Sequence, residues 1–459
     1  MANVFVKDET MTEIADAIRS KLGSTVRYLP KDMPEAVMKI SGSGGRGSEL
    51  DPIRFYDYDG TFLYGFSFEE IQEMDSLPPF ASHEGLISQG WNWTLEQLKA
   101  VDYEVNVGAL YVTDDGATRI YISPTAEQLE PTVSFSQLKK YGVAIDWGDG
   151  SEWERSEKTG QSVYCTFHHK YEEPGDYVIR LIPDDDAKLY FLGNSKPGTH
   201  LYYISYTSNE MNKRYSSAIK KVELGRNIVG FEGYSFCFCN SLESITVPKD
   251  VKITNNGLFY ECFNLKFFVV PPEQTTLYGY TFYYAYALEG VSLPYGLESL
   301  GNNAFSYCYH LKSVTPPDTV TTMYSSVFSE CRSLQNIRIP SGVTTLQSNC
   351  FYSTYSLGEI VVPDNVTNIA SSNFYNCRYL RKAVIGANVN TIGSKNFNTC
   401  DGIKEIWMYP ETPPTLSYSD AFYRLPSDTV IYVPKGCLEA YQAAAYWSNL
   451  TAYLAEMPD

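Results

Sequence analysis

The chain has few of the residues that catalysis or metal binding would use. Histidine occurs five times in 459 residues. Two of these, His168 and His169, are adjacent and point to opposite sides of an extended strand, so they do not share one ligand set. No Cys-x-x-Cys pair and no Cys/His spacing suggests zinc. A Gly-x-Ser-x-Gly elbow is missing too, and no cysteine has an obvious histidine partner. The carboxylates at Asp57/Asp59, Asp146/Asp149 and Asp184 to Asp186 lack the acid at the twelfth position that completes a calcium loop, and they read as turn residues. A glycosidase needs two carboxylates about 5 to 9 Å apart, and the acids of the C-terminal half are scattered. The expectation is a protein that is not an enzyme and takes no metal or cofactor.

Positive charge is scarce as well. The formal net charge is −18, which argues against nucleic acid, where Lys and Arg must replace counterions. Residues 49–150 hold eighteen acidic and five basic groups, whereas residues 219–459 are nearly balanced at twenty and sixteen. The opening MANVFVKDETMTEIADAI lacks the charged start and apolar run of a signal peptide, and no stretch of ~18 apolar residues exists. Cytoplasmic synthesis without ordinary export, and no membrane insertion, is the expectation. Tyrosine, by contrast, is abundant at 38 residues, and it supplies large amphipathic contact area at low entropic cost.

The dominant feature is a repeat. Phe236, Phe259, Phe282, Phe305, Phe328, Phe351, Phe374 and Phe397 are each 23 residues apart, which means a solenoid. Around Phe328 the pattern reads Met323, Phe328, Cys331, Leu334, Ile337, Ile339 and Pro340. Ile337 and Ile339 alternate with polar neighbours, as in a short strand facing inward, and Pro340 ends it. One copy cannot close a core, so the copies must stack, with equivalent side chains in columns roughly 4.8 Å apart. Cys239, Cys262, Cys308, Cys331, Cys377 and Cys400 occupy one column, where they are expected as free thiols behaving as small hydrophobes. Four residues after each Phe come Phe263, Tyr286, Tyr309, Arg332, Tyr355 and Arg378, a column that stacking would turn into a strip of rings and guanidinium planes. Tyr260, Tyr283, Tyr352 and Tyr375, one after the Phe, would flank it. Aromatic faces take the apolar faces of sugars and Arg grips carboxylate or phosphate, so these ten residues form the candidate ligand-binding set. The alternative is that they only stack on one another to cover the turns.

The preceding chain reads as smaller units. Residues 1–40 carry two short amphipathic helices (Met11, Ile14, Ile18, Leu22, then Met33, Val37, Ile40), expected to attach the protein or join copies of it. Residues 41–49 form a flexible linker. Residues 50–135 read as an α+β accessory domain, with one hairpin turning at Asp59-Gly60, a second at Asp115-Gly116, and a short helix capped by Thr94. Residues 136–183 read as a β-sandwich, 184–218 as a connector, 219–434 as the repeats, and 435–459 as a cap helix with Leu438, Tyr441, Ala445 and Leu450 over the open end. The fold class is multidomain and mainly β, with a C-terminal solenoid of period 23 after small β-rich modules and short N-terminal helices.

Segments such as LESLGNNAFSYCYHLKSV from Leu297 resemble the BspA-like leucine-rich repeats of bacterial and bacteriophage surface proteins. Residues 9–40, and the block running from Phe55 through TLEQLK, resemble segments of phage and prophage tail-associated proteins. Trp147-Gly148-Asp149-Gly150, followed by His169-x-Tyr171 and Pro174-Gly175-x-Tyr177, resembles the polycystic-kidney-disease type β-sandwich, a spacer or glycan-associated module. These resemblances imply a phage or prophage tail protein located in the virion. Its N-terminal helices would dock to other tail proteins, its middle modules would act as spacers, and its solenoid would contact a cell-surface glycan or protein of the host, with a homo-oligomer such as a trimer fitting a fibre. The alternatives are a bacterial cell-surface adhesin and a purely structural virion decoration.

Overall fold

The computed structural model describes residues 47–137, 142–156, 163–185, 187–191 and 217–458. The two N-terminal helices expected in residues 1–40, most of the linker and most of the connector lie outside the described residues.

The first unit is built on β1 (Ile53–Tyr56), β2 (Phe62–Phe66), β3 (Leu86–Trp91) and β4 (Val105–Thr113), in the order β2-β1-β4-β3. β1 and β2 form the expected hairpin, with Gly60 at φ 91, and β1 runs parallel to β4. Two short helices complete it. α1 (Phe68–Glu73) begins with a capping box from Ser67 and Glu70, and α2 (Leu95–Lys99) with one from Thr94 and Gln97, each satisfying otherwise orphaned amide groups. Phe55, Phe66, Trp91, Trp93 and Tyr111 anchor its own apolar core.

The second expected hairpin does not form. Beyond Asp115-Gly116 the chain leaves β4 and enters a different sheet through β5 (Thr118–Ile122). Asp115 fixes this crossing by accepting from the Ala117 amide and pairing with Arg119 and Arg180. β5 joins β6 (Thr132–Gln137), β7 (Val143–Asp146), β8 (Glu154–Ser156), β9 (Val163–His168), β10 (Tyr177–Pro183) and β11 (Leu189–Phe191) in two sheets. Strand pairing therefore starts the sandwich near residue 118, earlier than the 136 expected from sequence, and takes β11 from the stretch read as connector. An Asp-Gly turn signals only a reversal; which strand the returning chain pairs with is decided by burial.

The sandwich and the solenoid are one structure. β12 (Ile219–Glu223) adds antiparallel to β5, and β13 (Ile228–Phe231) adds parallel to β11. The next short strands, Ser244–Ile245 and Lys252–Ile253, continue these two sheets. The sandwich layers thus become the two strand columns of a solenoid of about ten turns over residues 221–456. A single apolar core runs from Ile120 and Trp147 to Tyr441 and Trp447. Each turn contributes a fully buried Phe, its ring stacked on the next at 5.2 to 6.0 Å from Phe236 to Phe422, and burying each ring stabilises by roughly 1.5–3 kcal/mol. At the far end Tyr441 of α3 (Leu438–Ala443) and Trp447 plug the core. Ala445, expected inward, is exposed, and a last strand, Leu454–Glu456, follows where only a helix was expected.

The cysteine column has a second physical reason besides size. The thiols of Cys262, Cys308, Cys331, Cys377 and Cys400 each donate to the carbonyl of the Phe in the preceding coil, at 2.9 to 3.2 Å. Thr354, in the same column, does so with its hydroxyl at 3.2 Å. All ten cysteines are free thiols. Burial pushes the Cys400 thiol up to about 12, so it stays protonated as a donor.

The first unit is not strung out as a spacer. Its strand β4 lies against the outward strand face of the coils of Phe259 and Phe282. Asn92, 1% exposed, donates to the carbonyls of Val270 and Ser292 and accepts from the Gly108 amide and the Ser292 hydroxyl. Trp93 donates to the Leu293 carbonyl at 2.7 Å. A Cβ on Gly108 would sit 2.5 Å from a Val269 methyl, so glycine is what permits this approach.

Candidate functional site

The strip expected four residues after each Phe is formed, on the turn side of the solenoid. Its backbone is set by two sets of hydrogen bonds. The amide of Tyr286 donates to the Tyr284 carbonyl and that of Tyr309 to the Tyr307 carbonyl, closing a tight local turn. The residue after each strip position then donates back to the strip carbonyl of the previous coil, as His310 does to Tyr286 and Ser333 to Tyr309. Successive strip residues are held at the coil spacing. Phe263 stacks on Tyr286 and Tyr286 on Tyr309, both at 4.9 Å. The Arg332 guanidinium lies 4.2 Å over Tyr309 and 5.3 Å from Tyr355, and Arg378 lies 5.1 Å from Tyr355. All six residues form one unbroken stack.

The flanking column is interrupted. Tyr260 stacks on Tyr283 at 5.1 Å and Tyr352 on Tyr375 at 4.9 Å, but the buried Ser306 and Ser329 separate the pairs. Tyr284 and Tyr307, two residues after their Phe, bridge the two columns. They lie 4.5 Å apart and meet Tyr286 and Tyr309 respectively edge-on. Sequence reasoning passed over them, although a Tyr at that place in two successive copies was the available signal.

Stacking changes what the strip offers. Ring faces are turned to one another, so solvent meets ring edges, hydroxyls and guanidinium edges rather than the flat platforms that sugar stacking needs. The Tyr286 and Tyr309 hydroxyls make no hydrogen bond to any described residue. Burial, reinforced for Tyr286 by the neighbouring phenols, pushes both upward, so they remain protonated donors at neutral pH. The two cations differ. Arg332 is neutralised by Glu330 at 2.9 Å, whereas Arg378 bonds only the Asn376 amide oxygen and has no acidic partner among the described residues.

The carboxylates considered for metal binding serve turns and ion pairs. Asp59 accepts from the Thr61 amide, Asp146 from Gly148, and Asp184 pairs with Arg155. His168 bonds Thr132, while His169 bonds Asp149 at 2.6 Å and stacks on Trp147. Burial alone would raise the Asp149 carboxyl, but Ser151 and His169 together hold it at about 2.

The architecture defines a leucine-rich-repeat β-solenoid with a β-sandwich as its N-terminal cap. Residues 205–289 and 275–404 match the BspA type leucine-rich repeat region in six copies, and the repeat region is of that type. Among solved structures the chain is similar to a leucine-rich repeat protein of T. pallidum, at 26% identity over 35% of this chain and 78% of that one, TM-score 0.33. The pneumococcal vaccine antigen PcpA is similar at 18% identity, covering 59% and 76%, TM-score 0.37. A leucine-rich cell surface protein from Faecalibacterium prausnitzii is similar at 20%, covering 42% and 73%, TM-score 0.22. No curated protein matches the chain.

Proposed function

We propose that the protein is a non-enzymatic recognition protein of the bacterial cell-surface adhesin kind, and that it binds a polar envelope polymer, a glycan, along the strip from Phe263 to Arg378. The observation that carries this reading is the row of unpartnered phenol hydroxyls at Tyr286 and Tyr309, continued by guanidinium edges, at one coil spacing along the turn side. The strand face of the coils of Phe259 and Phe282 is occupied by the first unit, which leaves the turn side open in that half of the solenoid. A glycan presents hydroxyls at a comparable repeat and needs donors that stay protonated. The tail-protein reading draws on sequence resemblance in segments that include residues 9–40, and no observation in the fold favours it.

The test is binding of the labelled full chain to a panel of intact bacteria, beside a variant with Tyr286, Tyr309 and Tyr355 changed to Phe. That variant keeps the ring stack and removes only hydroxyls, those of Tyr286 and Tyr309 without a partner and that of Tyr355 accepting from the Asn376 amide at 3.4 Å. Three lost hydrogen bonds at about 0.5–1.5 kcal/mol each predict a loss of at least about tenfold. Strain-selective binding retained in full by the triple variant would place recognition elsewhere, and an absence of binding to every strain would sink the proposal.

A further inference from the structure

A cleft of about 1350 Å³ separates the first unit from the solenoid's strand face. One wall is Arg54, Tyr56, Asp59, Asp102 and Tyr103, and the floor is the outward side of the strand segments from Gly290 to Val361. The Asn92 and Trp93 hydrogen bonds join its two walls alongside it.

Two features of the cleft point to what fits it. The parallel ladder is missing on its floor. Gly290–Ser292 pairs with the coil before it and Glu359–Val362 with the coil after it. Between them, Ser313 keeps only a single bridge to Gly290, and the backbone of Val314, Thr315 and residues 336–339 makes no coil-to-coil hydrogen bond. Pro316, which lacks an amide donor, lies within that gap. Main-chain donors and acceptors therefore stand unused there. Charge is the second feature. Every cation lining the cleft is already matched: Arg54 by Glu104 at 2.8 Å, Lys266 by Glu243 at 3.0 Å, Lys312 by Glu289 at 2.5 Å and Arg338 by Asp318 at 2.7 Å. Glu49, Asp59, Asp102 and Glu359 also line it and have no cation partner among the described residues. The cleft is left with a surplus of negative charge between aromatic walls.

We propose that this cleft is a second binding site, separate from the strip, that takes an extended polypeptide segment carrying lysine or arginine. The main chain of the segment would meet the unpaired backbone of the floor, its cations would meet Asp102 and Glu359, and its aliphatic stems would lie along Tyr56, the Tyr103 ring being already covered by Arg338 at 4.3 Å.

The test is titration of the full chain with deca-lysine, deca-glutamate and spermine at 0.1 M salt. A chain with a net charge of −18 attracts any polycation, so the deciding variant is Asn336→Trp, which fills the floor from an exposed position without altering charge. Expected are saturable binding of deca-lysine, none of deca-glutamate, at least about a tenfold loss in Asn336→Trp, and a similar loss in Asp102→Asn combined with Glu359→Gln. Deca-lysine binding unchanged in Asn336→Trp would show attraction to the surface at large and overturn the proposal. Spermine binding as tightly as deca-lysine would show that no main chain is read, and an absence of deca-lysine binding would overturn it outright.

Discussion

Asn92→Leu is the sharpest probe of how the first unit is held to the solenoid. The replacement is close in volume and apolar, so the perturbation is confined to polar pairing. Four hydrogen bonds of Asn92 disappear, but their partners fare differently. The Ser292 carbonyl still accepts from the Val270 amide, and the Ser292 hydroxyl, whose single proton faces both Asn92 and the Asn106 carbonyl, then donates to Asn106 alone at 2.6 Å. The Gly108 amide and the Val270 carbonyl keep no other partner and become orphaned at a buried interface. At about 1–3 kcal/mol for each orphaned group the cost is roughly 2–6 kcal/mol. It falls on docking rather than on either core, since the apolar contacts of both cores are untouched. Hydrogen exchange read by peptide should show faster exchange at Val105–Thr113 and at Phe267–Ser292, while Ile360–Met408 exchanges as in the parent. A cycle with Ser292→Ala isolates the pair, with an expected coupling of about 1 kcal/mol or more. Uniform destabilisation of the whole solenoid, or a change under 1 kcal/mol, would refute the assignment of Asn92 as the interface fastener.

Four further outcomes follow from the same structure. Cys331→Ala should cost about 1–2 kcal/mol through the lost thiol bond and a small cavity, whereas Cys331→Thr should be nearly neutral because Thr354 already serves this column; chemical denaturation distinguishes them. A thiol reagent should find one fast-reacting cysteine in the folded protein, Cys437, the one cysteine that is not fully buried, and all ten after unfolding. The Asp149 carboxyl is depressed in the fold, so its contribution is present above the ordinary carboxylate range near 3.8 and is lost as pH falls through about 2. Asn at this position should flatten the acid-unfolding profile between those limits and lower stability at pH 7. Finally, residues 219–459 expressed alone should aggregate, because removing β5 and β11 bares Ile219, Val222, Ile228 and Phe231 on two unpaired edges.

The repeat and its columns were legible because a fixed period puts every inward position on record eight times. Even the unbroken stack from Phe263 to Arg378 could be read this way. Contacts without a period could not. The fusion of sandwich and solenoid rests on β5 meeting β12 across some hundred residues, and the local Asp-Gly signal suggested a hairpin instead. Docking of the first unit depends on Asn92 and Gly108, which belong to no pattern. One hint existed in the outward strand positions. The first outward position of the strand is Phe267 or Gly290 in the covered coils, apolar or small, but Glu359, Lys382 and Glu405 where the face is open. Outward residues that are not charged mark a face that something covers.

The strip was predicted as a set of flat faces and is in fact a set of edges, and the backbone explains why. In all eight coils the residues two before and two after the Phe have positive φ, and only Gly257 among them is a glycine. Left-handed backbone costs L-residues about 1 kcal/mol or more, and here Tyr280, Tyr284, Glu330 and Asn349 adopt it. The return is directional. At Tyr280, Phe282 and Tyr284 the amide N–H points forward and donates to the next coil, at Asn302, Ala304 and Ser306, and the same triplet repeats along the solenoid. With this triplet donating forward and the residue after each strip position donating back, as His310 does to Tyr286, each coil is fixed against the next in both distance and rotation, so a side chain two residues after the triplet has little freedom except to lie over its equivalent. Ring faces are consumed by that stacking, and only hydroxyls and guanidinium edges are left for a ligand. A Gly placed at position 284 or 307 would relieve the strain yet loosen this alignment, so greater backbone stability with weaker ligand binding is the combination that a functional strip requires.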